Sequence, residues 1–135
     1  MKISEFEIDA TAIEAGAWRD AIGRPGLRFK LRGADNIDWR RMQAKLVADL
    51  PREKQLSAAS DPADDDKITA KLLLETCLLD WEGLEDDNGP IAYSKELATK
   101  LLTEPAFRPF RNSVLATARV LANETIAERE ASAKN

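Results

Sequence analysis

Between Leu27 and Arg32 the chain alternates: Leu27, Phe29 and Leu31 are apolar, while Arg28, Lys30 and Arg32 are basic. A period of two marks a strand with one face buried. From Ile37 onward the apolar residues recur at helical spacing instead. A segment patterned for one period cannot bury its apolar residues in the other conformation, so the change of period demands a mixed fold. The expectation is an α+β protein: a small N-terminal antiparallel β-sheet or hairpin followed by about four helices.

The hairpin is predicted to run from Ile13 to Arg32. Its first strand has Trp18 and Ile22 on one face, with Trp18 expected to face the core beside Phe29, and its turn lies at Gly23-Arg24-Pro25-Gly26. Residues 1–12 read as an edge strand or a loose arm, with Phe6 and Ile8 alternating with Glu5, Glu7 and Asp9. Asp35-Asn36 caps a helix from about Ile37 to Leu50 that sets Trp39, Met42, Leu46 and Leu50 on one face. Lys54 to Ala63 reads as loop. Asp61-Pro62 starts a central helix, with Asp64, Asp65 and Asp66 complementing its dipole. That helix is predicted to continue to about Asp80. An acidic turn closes on Asn88-Gly89, where positive φ is tolerated, and Ile91-Ala92-Tyr93 reads as a short apolar strand. Ser94 caps a helix from Lys95 to about Thr103, and Thr103 is placed to cap the next. In the last helix Pro109 either kinks the chain or marks the true start. Phe107, Phe110, Val114, Ala118, Leu121 and Thr125 fall near one stripe, and Ile126 widens it. The 135 residues make one domain: residues 1–34 β-rich, 35–127 helical, and 128–135 a frayed tail.

The residues capable of chemistry are few. Histidine is absent, which removes histidine general bases, Ser-His and Cys-His triads and nearly all zinc sites. The single cysteine, Cys77, lies in an apolar run beside Glu75 and Asp80, a setting for a buried hydrophobe rather than a nucleophile. Asp86-Asp87-Asn88-Gly89 invites a calcium loop, but Leu84 and Lys95 stand where that loop needs acids. Gly16, Gly23, Gly26 and Gly33 fit neither phosphate-binding spacing. The expectation is therefore no catalytic residue, no metal, no cofactor and no enzyme activity. Charge is uneven: residues 57–104 hold 4 Lys and Arg against 12 Asp and Glu, and both flanking regions are slightly basic. An acidic middle disfavours nucleic acid and suits basic protein surfaces or self-association; a solvated acidic surface is the plainer account. The basic strand face of Arg28, Lys30 and Arg32 is the best candidate for nucleic acid, and a protein-binding or solvated face is the favoured reading. Along the terminal stripe, Phe107 and Phe110 are assigned to the core. Val114, Leu121 and Ile126 are candidates for partner contact. Trp81, Gly83 and Gly89 are taken as structural anchors. No apolar run nears the ~20 residues of a membrane span, and the N-terminus carries acids where a signal peptide is apolar.

The stretch Leu79-Asp80-Trp81-Glu82-Gly83, the turn Glu85–Gly89, Tyr93-Ser94 leading to Leu101-Leu102, and Pro105-Ala106-Phe107 resembles, as an ordered set, the tail assembly chaperones of long-tailed bacteriophages. Ala15-Gly16-Ala17-Trp18 followed by Leu27–Arg32 resembles the N-terminal sheet of that family. The resemblance implies a protein of the host bacterial cytoplasm, absent from the mature virion. Such a protein would bind the tape measure protein without catalysis, keep it soluble, recruit tail tube subunits and self-associate. In many members a frameshift appends a second domain; this chain would then be the shorter product. A structural tail or neck component retained in the virion is the alternative.

Overall fold

The alternating strand forms as its pattern demands, and a partner distant in sequence completes it. The computed structural model describes residues 1–55 and 61–133. Strand β1 (Ala17–Asp20) pairs antiparallel with β2 (Arg28–Leu31), and β2 pairs antiparallel with β3 (Leu78–Glu82), giving a three-stranded sheet in the order β1-β2-β3. Helix α1 (Ala10–Ala15) precedes the sheet. Helix α2 (Ile37–Ala48), the short α3 (Arg52–Gln55) and α4 (Pro62–Leu72) separate β2 from β3. A small hairpin, β4 (Glu85–Asp86) with β5 (Gly89–Pro90), leads to α5 (Lys95–Thr103), α6 (Arg108–Asn123) and α7 (Ile126–Ala133). The α+β class and the N-terminal antiparallel sheet are as the pattern predicted.

The largest departure lies at residues 73–82. The central helix does not reach Asp80. It ends as a π-helical turn over Leu73–Cys77, and the chain then becomes β3. Thr76 Oγ1 donates back to the Leu72 carbonyl at 2.6 Å, one turn earlier. An unbroken apolar run fits a buried helix and a buried strand equally well. The open edge of β2 decides between them, because its backbone groups need a pairing partner. In the resulting register Phe29 lies opposite Trp81 and Arg28 opposite Glu82, with a bulge that leaves Leu79 without a partner.

Trp81 is thus a strand residue. It is 4% exposed, and its indole Nε1 donates to the Ile91 carbonyl at 2.9 Å. Its ring stands edge-on to Tyr93 at 5.0 Å and to Phe110 at 5.9 Å, and Phe110 stands edge-on to Phe29 at 5.6 Å. These T-shaped pairs, each worth about 0.5–1.5 kcal/mol beyond burial, join the sheet to the start of α6 and to the segment before α5. Further along α6, Ser113 Oγ donates to the Ile22 carbonyl at 2.8 Å, and the Ile22 amide donates to Thr117 Oγ1 at 3.0 Å. The helix thereby grips the backbone of the first hairpin.

Other departures are local. The hairpin starts at Ala17 rather than Ile13, which is a buried residue of α1. Trp18 pairs opposite Lys30, on the solvent side of the sheet, with the Arg28 guanidinium 5.8 Å from its ring. Arg19, opposite Phe29, takes the inner side. The sequence reading had these faces reversed, and one residue of register is enough to do so. Residues 1–12 are neither a strand nor a loose arm: Ile3–Phe6 form a 3-10 turn ahead of α1, and Ile8 makes one bridge to Thr125. The helix Arg52–Gln55 takes in the first two residues of the predicted loop, Lys54 and Gln55, and the loop residues 56–60 lie outside the described residues. Ile91–Tyr93 forms no strand. Thr103 does not cap a following helix; it closes α5, its hydroxyl donating to the Thr99 carbonyl. Pro109 sits in the first turn of α6, so it marks a beginning and not a kink. Helix α7 runs on to Ala133, through most of the predicted tail. The caps at Asn36, Asp61 and Ser94 form as predicted, each side chain accepting a first-turn amide.

Candidate functional site: an open groove beside the central helix

Two of the partner candidates read from the terminal stripe are core residues. Val114 is fully buried and Leu121 is 3% exposed, because the α6 stripe packs inward. Neither presents a free surface. Ile126 is half-buried at the start of α7, its amide donating to the Glu7 carbonyl at 2.9 Å. Phe107 and Phe110 both pack against the core, as assigned.

The basic strand residues do not make a basic surface. Arg28 is held by Asp20 at 3.1 Å and Glu82 at 2.9 Å. Arg32 donates to the Glu14 carbonyl and pairs with Asp38 at 2.8 Å. Lys30 lies in register with Asp80. Both arginines have acquired acids from other elements and Lys30 faces an acid in register, so the stripe presents no field of one sign.

A concavity with an apolar floor lies elsewhere, one of several open ones among the described residues. It forms between α4, α5 and the start of α6, with a volume of about 400 Å³. Ala63, Asp66, Lys67, Ala70 and Lys71 line it from one face of α4, and Leu74 continues that face into the π-helical turn. Thr99 and Thr103 line it from α5, and Pro105, Arg108 and Arg111 close the end. It is open because those positions are small. Ala63, Ala70, Thr99 and Thr103 keep two helices from filling the space between them, and Ala70 and Leu74 give an apolar base. The rim is mostly basic. Asp66 is engaged by Arg111 at 3.3 Å and Lys71 lies 3.8 Å from Glu75, whereas Lys67 and Arg108 have no ionic partner within 4.0 Å among the described residues. Glu75 also accepts from Lys95 at 2.9 Å. That bond and the charge of Lys95, with a smaller part from Lys71, outweigh burial and hold its carboxyl below the ordinary value of 4.5.

No cysteine or histidine lines the groove. Cys77 is 1% exposed and lies outside it, and burial pushes its thiol up to about 12. Among the described residues no three His, Cys, Asp or Glu side chains converge as for a metal ion, and no helix is long and apolar enough to cross a membrane. What the arrangement can do is receive apolar side chains of a partner and hold acids at its rim. None of its lining residues was singled out from the sequence as a binding residue; Asp66 and Thr103 were read only as helix-end residues. The available signal was weak: the small pair Ala63 and Ala70, seven apart on α4, and Thr99 and Thr103, four apart on α5, lie on helix faces where larger residues were not required.

Fold and groove together define a small α+β protein with an open, apolar-floored groove on its helical side. A family model described as YdaY prophage protein matches residues 34–135, and the chain belongs to that prophage protein family. The matched region includes every residue of the groove but omits α1, β1 and β2. No curated protein and no solved structure matches the chain.

Proposed function

We propose that this prophage protein is a non-catalytic tail assembly chaperone. It binds the tape measure protein, keeps that protein's apolar helices from aggregating, helps recruit tail tube subunits, and acts in the host bacterial cytoplasm without remaining in the virion. The observation that carries the reading is the groove between α4, α5 and α6, whose apolar floor and charged rim suit an amphipathic segment. The prophage family and the ordered segment from Leu79 to Phe107 agree with it. In this reading the protein needs no cofactor and binds neither nucleic acid nor membrane; the ion pairs that neutralise Arg28 and Arg32 support the former.

Co-expression with the tape measure protein of the same prophage tests the reading. The wild-type chain should move the tape measure protein into the soluble fraction. Thr99→Glu with Thr103→Glu, two exposed groove positions, should fail to do so while remaining folded. A tape measure protein left equally insoluble with and without the wild-type chain overturns the proposal. Stoichiometric recovery of the chain from purified virions would instead establish the alternative, a structural tail or neck component.

A further inference from the structure

The most acidic part of the chain gathers its few cations at the groove. Residues 57–104 hold 4 Lys and Arg against 12 Asp and Glu. Two of those four, Lys67 and Lys71, line the groove, and α6 brings Arg108 and Arg111 to its end. One acid, Asp66, stands among these four cations in the lining, and Arg111 engages it. Lys71 lies 3.8 Å from Glu75, which Lys95 already holds at 2.9 Å. The neighbouring hollow between α2 and α4 gives the contrast. Lys67 and Lys71 border it too, but there Asp49 and Asp64 balance them beside Leu46, Leu50 and Ile68. The α4–α5 groove thus combines an apolar floor, Ala70 and Leu74, with an excess of positive charge at its rim.

The walls select the conformation of an occupant. They come from α4, its π-helical last turn, α5, the 3-10 turn at Pro105 and α6, so they offer no strand edge to an extended chain. The Thr99 and Thr103 hydroxyls donate to carbonyls of their own helix. An extended segment would leave its backbone groups without partners here, whereas a helix satisfies its own. Small side chains at Ala70, Thr99 and Thr103 let such a helix approach closely. From Ala63 to Leu74 the groove follows α4 and its last turn for about 16 Å, or about three turns of a docked helix. Lys67 and Lys71 stand one turn apart, so acids one turn apart on the occupant can meet both.

We infer that the groove selects an acidic amphipathic helix. Its apolar stripe lies on Ala70 and Leu74, and Asp or Glu residues flanking that stripe face Lys67, Lys71 and Arg108. The inference rests on the client reading and deepens it, because it names the kind of segment by which the client is held. It also gives the groove a means of choice. An equally apolar helix flanked by lysines meets like charge at the rim and is turned away.

Fluorescence anisotropy of three labelled peptides against the full chain is the experiment. Each peptide has about 18 residues, long enough to hold a helix, and the same apolar stripe. One is flanked by Glu, one by Lys, and one is the Glu peptide with a central proline that breaks the helix. The Glu peptide should bind about tenfold more tightly than the Lys peptide, as two or three rim pairs would give. The margin should shrink between about 0.02 M and about 0.5 M salt, and the proline peptide should bind weakly. Lys67→Glu with Arg108→Glu should reverse the preference. Arg24→Glu with Lys45→Glu, the same charge change at exposed positions outside the groove, should keep the wild-type order. On the wild type, equal binding of the Glu and Lys peptides, no binding of either, or full binding of the proline peptide overturns the inference. So does a reversal by the outside variant, or a single-stranded DNA oligomer that displaces the Glu peptide at equal concentration. If the tape measure protein is still kept soluble in co-expression, those results remove the acidic-helix inference alone. A preference for the Glu peptide in a chain that leaves the tape measure protein insoluble removes the client reading alone.

Discussion

Replacing Gly83 by alanine should weaken the fold far more than the same change at Gly89, although both glycines carry positive φ, +87° and +118°. A Cβ on Gly83 would lie 2.0 Å from the Gly26 carbonyl oxygen and 3.3 Å from the Leu27 Cα, where the first hairpin returns against the end of β3. Those are backbone atoms and no rotamer change can move them. A Cβ on Gly89 meets nothing within 4 Å. The left-handed backbone costs a non-glycine residue about 1–2 kcal/mol at either site. The reduced freedom of the unfolded chain returns about 0.4–1 kcal/mol. Gly83→Ala adds an overlap that only a shift of strand against turn can relieve, about 1–3 kcal/mol. The net expectation is a loss of about 3 kcal/mol for Gly83→Ala and about 1 kcal/mol for Gly89→Ala. At about 4 °C per kcal/mol for a domain of this size, the melting points should fall by about 12 °C and about 4 °C. Urea titration followed by far-ultraviolet circular dichroism gives the free energies directly, and unchanged m-values would place the effect in the native state. Equal losses for the two variants would refute the close approach of Gly83 to the hairpin turn.

Three further outcomes follow from single groups. Asn36, 1% exposed, donates to the Gly33 and Thr76 carbonyls and accepts from the Trp39 amide, each at 2.9 Å; Asn36→Ala should cost about 3 kcal/mol by urea titration, combining a lost cap with unsatisfied buried carbonyls, and a loss under about 1 kcal/mol would contradict that network. Cys77 should not react with a thiol reagent at pH 8 until the chain unfolds. Because its folded pKa lies above the ordinary 9.0, at about 12, its contribution to stability is complete below pH 9 and declines as pH rises from 9 to 12; Cys77→Ala should flatten that alkaline decline. Glu75, held below 4.5 chiefly by the Lys95 hydrogen bond, contributes stability above its unfolded pKa that is lost as pH falls through the folded value; Lys95→Met should raise the Glu75 carboxyl pKa read by NMR titration, and no upward movement would argue against the pair.

The primary structure by itself determined the class of fold and three of the helix starts. Alternation at Leu27–Arg32 could only be buried as a strand. Asn36, Asp61 and Ser94 carry side-chain oxygens that compete for backbone amides in the following turn, and each caps a helix as read. These are interactions within a few residues of chain, so nothing distant was needed to specify them. Tertiary structure decided what depends on a partner far away. Leu78–Glu82 is a strand because β2, some fifty residues earlier, offers an unpaired edge, while its apolar run alone suited a helix. Arg28, Lys30 and Arg32 looked like a basic face until Asp20, Asp38, Asp80 and Glu82 were brought beside them. Val114 and Leu121 are core because the sheet lies under α6. The groove exists only where α4, α5 and the first turn of α6 converge on small side chains. A concavity is a property of the space between elements, and no local pattern of residues encodes it.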